Sequence, residues 1–199
     1  MARSPSYNRD AALDTALDLF WKKGYHATSL KDLEAALAMK PGSIYAAFTS
    51  KEALYLAALE RYFTRNRAAL QTLFSQADAP LKALADHLRA TAQSRRPTAP
   101  SQACMLVKTI LSATADDSAL AQAAQGYMTE MSGVFAAAFD RARDLGALPR
   151  EADTARLARR YQANLTALRI EAESGTDPQA LADLAEDMAR DIEALAQPA

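Results

Sequence analysis

The stretch TSLKDLEAALAMKPGSIYAAFTSKEAL, residues 28–54, decides the fold. It holds two short apolar patterns at helical spacing, Leu30 with Leu33, Ala36 and Leu37, then Ile44 with Tyr45 and Phe48. Met39 and Lys40 part them. Ser29 stands as N-cap of the first, and Asp32, three residues on, can reach back to it as a capping box built with the shorter acid. Pro41 suits the first turn of the second, where its missing N–H is no loss. Thr49 or Ser50 then caps a longer helix, in which Leu56, Leu59, Phe63, Leu70 and Phe74 keep the helical phase for about seven turns.

Upstream, Leu13, Ala16, Leu17 and Phe20 place another helix over about Arg9 to Lys23. Lys22 and Lys23 suit the negative end of its dipole, and Gly24 stands just past its end. Three short helices, the last two joined by a tight turn, form a helix-turn-helix. The third must offer its N-terminal end to a DNA groove, so small or basic residues are needed there. Lys40, Gly42 and Ser43 meet that need, and Tyr45 offers a hydroxyl at reach of a phosphate. Lys51, and Thr28 with Ser29, stand at helix starts where free backbone N–H groups suit an anion. Each feature alone is ordinary: a serine before a helix is a cap, a lysine there is commonly solvated, and Tyr45 and Phe48 are as readily core as contact. Together they point to nucleic acid. Charge adds little, because the chain carries a net −1 and, through Tyr55, seven Lys or Arg against six Asp or Glu. Asp10, Asp14, Asp18 and Glu34 are therefore expected to lie away from the DNA.

The run of Ala12-Leu13, Leu19-Phe20, Gly24-Tyr25, Thr28-Ser29-Leu30, Leu33, Pro41-Gly42-Ser43-Ile44-Tyr45, Phe48 and Lys51-Glu52-Ala53-Leu54 resembles the N-terminal signature of the TetR family of bacterial repressors. The resemblance implies an all-α fold of about nine helices, a homodimer, a palindromic operator in double-stranded DNA, and an inducer pocket in the second domain. By position it implies that Lys31, Lys40, Pro41, Gly42 and Ser43 face bases or nearby backbone, and that Thr28, Ser29, Tyr45 and Lys51 hold phosphates. One departure stands out. The turn between the second and third helices often carries glycine in this family, and here it reads Ala38-Met39. Alanine disfavours positive φ by roughly 1 kcal/mol, which leaves the angle of the third helix open.

Bulk composition agrees with an all-α reading. Half the residues are hydrophobic, about a quarter are charged, alanine is abundant and glycine scarce. One cysteine excludes an internal disulfide and fits a reducing cytosol. Met1-Ala2-Arg3-Ser4-Pro5 has no apolar stretch like that of a signal peptide. No run approaches the roughly 20 apolar residues of a bilayer span, so a cytoplasmic protein without membrane contact is expected. Pro80 opens a helix with Leu81, Leu84 and Leu88, and Arg95 to Pro100 reads as a loop. A helix over about Gln102 to Thr114 follows. Asp116-Asp117-Ser118 starts a stretch interrupted at Gly126, then a helix runs over about Met128 to Arg143. The last two helices cover about Asp153 to Ser174 and Asp177 to Leu195, the latter opened by an Asp-Pro cap. The domains are then 1–52 for DNA and 53–199 for sensing and dimerisation.

The second domain carries no catalytic pattern. His26 and His87 are far apart, and there is no nucleophile elbow, no glycine-rich phosphate loop and no metal-ligand spacing, so neither an enzyme nor a cofactor is expected. Phe63, Phe74, Met105, Tyr127, Met128, Met131, Phe135, Phe139 and Tyr161 either fill the core or line a pocket between helices. The pocket set for an unknown small-molecule effector is Phe63, Cys104, Met105, Met131 and Phe135, with His87 and Gln102 to orient it. Cys104 lies near a helix start, where Arg95, Arg96 and Lys108 could lower its pKa and make a thiol sensor. The apolar residues after it favour a buried, inert thiol. Leu157, Tyr161, Leu165 and Leu168 form one stripe, and Leu181, Leu184, Met188, Ile192 and Leu195 another. These either pack a four-helix bundle between two copies or face their own domain. Two other readings stay open: a helical ligand-binding protein or enzyme that does not regulate transcription, and an activator or nucleoid-type binder without inducer.

Overall fold

A computed structural model describes residues 8–93 and 99–197. Met1 to Pro5, and residues 95–98 of the loop read from the sequence, lie outside the described residues. Helices α1 (Arg9–Lys23), α2 (Leu30–Leu37), α3 (Pro41–Phe48) and α4 (Lys51–Ser75) follow in order. Then come α5 (Pro80–Gln93), α6 (Met105–Ser112), a 3-10 turn (Ala115–Asp117), α7 (Ser118–Asp144), α8 (Thr154–Ser174) and α9 (Pro178–Glu193). No strand occurs among the described residues, and no helix there is long and apolar enough to cross a membrane.

Local chemistry sets the boundaries. The Asn8 side chain accepts from the backbone N–H of Asp10 and Ala11, and Gly24 closes α1 at φ 83 with its N–H on the Phe20 carbonyl. Ser29 and Asp32 make both halves of the capping box on α2. Pro41 opens α3, and Ser50 Oγ accepts from Ala53 N–H at 2.9 Å to open α4. Asp153 and Asp177 cap α8 and α9.

Two boundaries differ from the sequence reading. Helix α6 is shorter than Gln102 to Thr114. Helix α7 runs unbroken through Gly126. A mid-helix glycine costs about 1 kcal/mol relative to alanine, which a helix this long absorbs. Leu120 and Ala124 before the glycine, and Met131, Phe135 and Phe139 after it, bury side chains along the same helix.

The described residues form two compact units. The first holds residues 8–64, 99–101 and 105–125, and so reaches past residue 52. Its core includes Phe20, Leu33, Ile44, Phe48, Leu54 and Tyr55, with the Phe20 and Tyr55 rings edge to face at 4.9 Å. Three polar contacts tie α6 and the 3-10 turn into it. Tyr55 O–H donates to Thr109 Oγ1 at 2.7 Å, since the Thr109 hydroxyl itself donates to the Met105 carbonyl. Lys108 Nζ donates to the Trp21 carbonyl at 2.7 Å, at the C-terminal end of α1. His26 Nε2 meets Asp117 Oδ2 at 2.8 Å.

The second unit holds residues 65–93, 102–104 and 126–197. Leu84, Leu88, Phe135, Phe139, Tyr161, Leu168 and Leu181 are its buried centre. Helix α5 packs on both α8 and α9. The Arg89 guanidinium locks α5 to α9, with Nε on Glu186 and Nη1 on Glu193, both at 2.6 Å.

Candidate nucleic-acid interface

Between α2 and α3 the chain turns at Ala38, which sits in the left-handed region at φ 51, ψ 39 and sends its N–H to the Glu34 carbonyl. Alanine therefore takes the conformation that glycine adopts more cheaply. Lys40 is extended, and its carbonyl accepts from the N–H groups of Ser43 and Ile44 to start α3. Ile44 and Phe48 bury the inner face of this helix. Lys40, Gly42 and Ser43 are exposed, and Tyr45 is 43 % exposed. A Cβ built on Gly42 would meet nothing within 4 Å, so the chain's own packing does not require glycine there. Lys31 on α2 is exposed as well. Pro41 is half-buried at the helix start. Lys51 is half-buried, with Nζ 4.3 Å from the centre of the Tyr25 ring, and burial pulls its pKa down against the opposing charge of Asp117.

Two expected phosphate ligands are otherwise engaged. Thr28 is wholly buried, and its hydroxyl donates to the Gly24 carbonyl at 2.7 Å, closing the bend after α1 rather than facing outward. The Ser29 hydroxyl accepts from Asp32 N–H at 3.1 Å and donates to Asp32 Oδ2 at 2.7 Å. The ion pair with Lys23, then the Ser29 bonds, hold the Asp32 carboxyl far below the usual carboxylate range. Asp10 and Asp14 both pair with Arg61 of α4, Asp14 at 2.8 Å. Arg9, which the sequence did not single out, lies with its guanidinium 4.9 Å over the Phe48 ring.

The residues read as an effector pocket fall in both units. Phe63 and Met105 belong to the first unit, and His87, Gln102, Cys104, Met131 and Phe135 to the second. Within the second unit Phe74 meets His87 edge-on at 5.6 Å, and Phe135 lies 4.8 Å from Tyr161. Tyr161 O–H donates to the Leu84 carbonyl at 3.0 Å, so His87 Nδ1–H is the donor in its 2.6 Å bond to the same oxygen. Burial, helped by the charge of Arg169, holds the imidazole down at about 4. The backbone N–H groups of Gln102 and Ala103 converge on Glu173. Cys104 is a buried free thiol, and Lys108, one of its expected activators, is bonded to the end of α1. Arg95 and Arg96 lie outside the described residues.

A hollow of about 520 Å³ opens between α4 and α7 in the second unit. Phe74 is the one residue of the sequence-read soft set in its apolar lining, which Val134 and Ala138 extend. Phe63, His87, Gln102, Cys104, Met105, Met131 and Phe135 do not line it. Arg67, Gln71 and Arg141 do, and the sequence reading missed them. The i, i+4, i+7 spacing of Arg67, Gln71 and Phe74 was the available signal.

The stripes on the last two helices divide between buried and half-buried positions. Tyr161, Leu165, Leu168, Leu181 and Ile192 are buried within their own unit, and Leu157, Leu184, Met188 and Leu195 are half-buried. The buried ones face inward, where α5 packs on both helices. The outward side of α8 is a different strip, where Ala163, Thr166, Ala167 and Ile170 line a shallow depression with Met128.

With this geometry in place, the chain matches the family described as "Bacterial regulatory proteins, tetR family" over residues 12–58. It is similar to the HTH-type transcriptional repressor ComR of Escherichia coli (strain K12), with 30% identity over 92% of this chain and 88% of that protein. It is also 25% identical to the uncharacterized HTH-type transcriptional regulator YezE of Bacillus subtilis (strain 168), over 92% and 95% of the two chains. Among solved structures it resembles the TetR family transcriptional regulator CifR, as a cysteine mutant complexed with 26bp double-strand operator DNA. The TM-score is 0.87 at 28% identity, covering 95% of this chain and 98% of that one.

Proposed function

This chain belongs to the TetR family of bacterial regulatory proteins, and from that premise we propose that it is a repressor that binds a palindromic operator as a homodimer and leaves it when a small-molecule inducer binds. The family is one of transcriptional regulators rather than enzymes. The observation that carries the reading is the N-terminal end of α3, exposed at Lys40, Gly42 and Ser43 over the buried anchors Ile44 and Phe48. On this reading Lys31, Lys40, Pro41, Gly42 and Ser43 read the groove. Tyr45, Lys51 and the start of α2 at Ser29 hold phosphates. The operator complex of CifR supports the DNA partner, and the repressor ComR supports the direction of control.

A homodimer places two such helices about 34 Å apart, one turn of DNA. The outward strip of α8 around Ala163, Ala167 and Ile170 is its seat. The inducer acts by population shift, limited by its differential affinity for the two states. A DNA-binding repressor of this kind works in the cytoplasm. Selection of genomic fragments by the purified protein at fixed salt tests the reading. Recovery of one inverted repeat is expected, and recovery of no preferred sequence would overturn it.

A further inference from the structure

We propose that the hollow between α4 and α7 is an effector site for small carboxylates with an apolar body, such as a medium-chain or arylalkyl acid. The proposal rests on the inducer reading above and gives it a ligand class. Arg67 and Glu130 pair at 3.2 Å at one end of the hollow. Arg141 stands at the other, 11 residues further along α7, or about 16 Å at the helical rise. The two arginines are not equivalent. Arg67 has its carboxylate, whereas Arg141 bonds through Nε to the Ala77 carbonyl at 3.2 Å and is paired with no carboxylate among the described residues. Its two Nη groups leave a planar fork for a bidentate acid.

Between the ends the lining is apolar, with Phe74 from α4 and Val134 and Ala138 from α7. Gly133 keeps the middle open, since a Cβ built there meets nothing within 4 Å. A volume of about 520 Å³ lies within the range of small-ligand sites. An unpaired cation at the edge of an apolar trough selects an anion whose body is apolar. An amine meets like charge at Arg141, and an alcohol gives it nothing ionic to bind.

Titration calorimetry on the full chain without DNA decides the matter, with octanoate and phenylacetate against octanol and octylamine as probes. The acids are expected to bind and the amine to give no heat. Arg141→Met should weaken octanoate at least tenfold and leave octanol unchanged. Gly133→Leu should abolish octanoate binding without lowering the melting temperature, because leucine is the better helix former and its side chain enters open space. Absence of acid binding, equal binding of acid and amine, or indifference to both substitutions would each overturn the site. Operator selection is scored separately. A selected operator with no acid binding sinks this site and leaves the regulator standing. Acid binding without loss of operator affinity sinks the inducer reading and leaves the site.

Discussion

Ala38 holds a left-handed backbone at the turn that sets the angle of α3, and a Cβ there is unfavourable. Ala38→Gly is expected to stabilise the protein by about 0.5–1 kcal/mol, the strain relieved less the added freedom of the unfolded chain. The midpoint of urea unfolding measures it. This conflict was legible in the sequence, because a turn between two short helices leaves few residues to take positive φ. The fate of the Thr28 hydroxyl was not, since it depends on the path that returns the chain to the Gly24 carbonyl. Among the groups proposed to meet DNA, Lys51 bears on phosphate. Lys51→Ala should lower affinity for all sequences alike and reduce the salt slope of binding by about 1, whereas Ser43→Ala should change sequence preference. A Lys51 variant that alters preference and leaves the slope intact would contradict the assignment.

Helices α1 to α4 and their caps were readable because their signals are local: Ser29 and Asp32 on α2, Pro41 on α3, Gly24 after α1. Helix α7 was harder. Gly126 reads as a break when propensity alone is weighed, but burial along the helix on both sides carries it through. Gly126→Ala is therefore expected to raise stability by up to about 1 kcal/mol, as its Cβ meets nothing within 4 Å. Thermal unfolding followed by circular dichroism would show it, and a loss of stability would mean that the glycine is needed as glycine. Helix α8 shows the opposite problem. It carries an apolar stripe and a strip of small residues, and periodicity cannot say which faces its own chain; only the packing of α5 settles that. The hollow between α4 and α7 was illegible for a similar reason, since its lining comes from segments some 60 residues apart.

For the molecule as a whole, two expectations follow. His87 is neutral in the fold, with its pKa at about 4 against the ordinary 6.5, so the unfolded chain binds the extra proton. Its contribution is complete above pH 6.5 and is lost as pH falls toward 4, to a total on the order of 3 kcal/mol. The melting temperature should fall across that window, and His87→Gln should flatten the fall; an unchanged slope would count against a buried neutral imidazole. Assembly is tested on the outward strip of α8. Ala167→Glu should give a monomer by sedimentation at micromolar concentration and cut operator affinity at least tenfold, while a variant that stays dimeric would move the interface elsewhere.

The Arg61 bridge to Asp10 and Asp14 has a consequence for search along the chromosome. With those two acids paired to Arg61, the exposed Lys31 and Lys40 and the half-buried Lys51 stand at the proposed DNA face, and with seven Lys or Arg against six Asp or Glu through Tyr55 the head carries little surplus positive charge. On the proposed reading few counterions would be displaced on random DNA, and the chromosomal reservoir that soaks up strongly basic regulators would hold little of this one. Occupancy of an operator would then be set by shape and base contacts, and few copies per cell would keep a promoter closed.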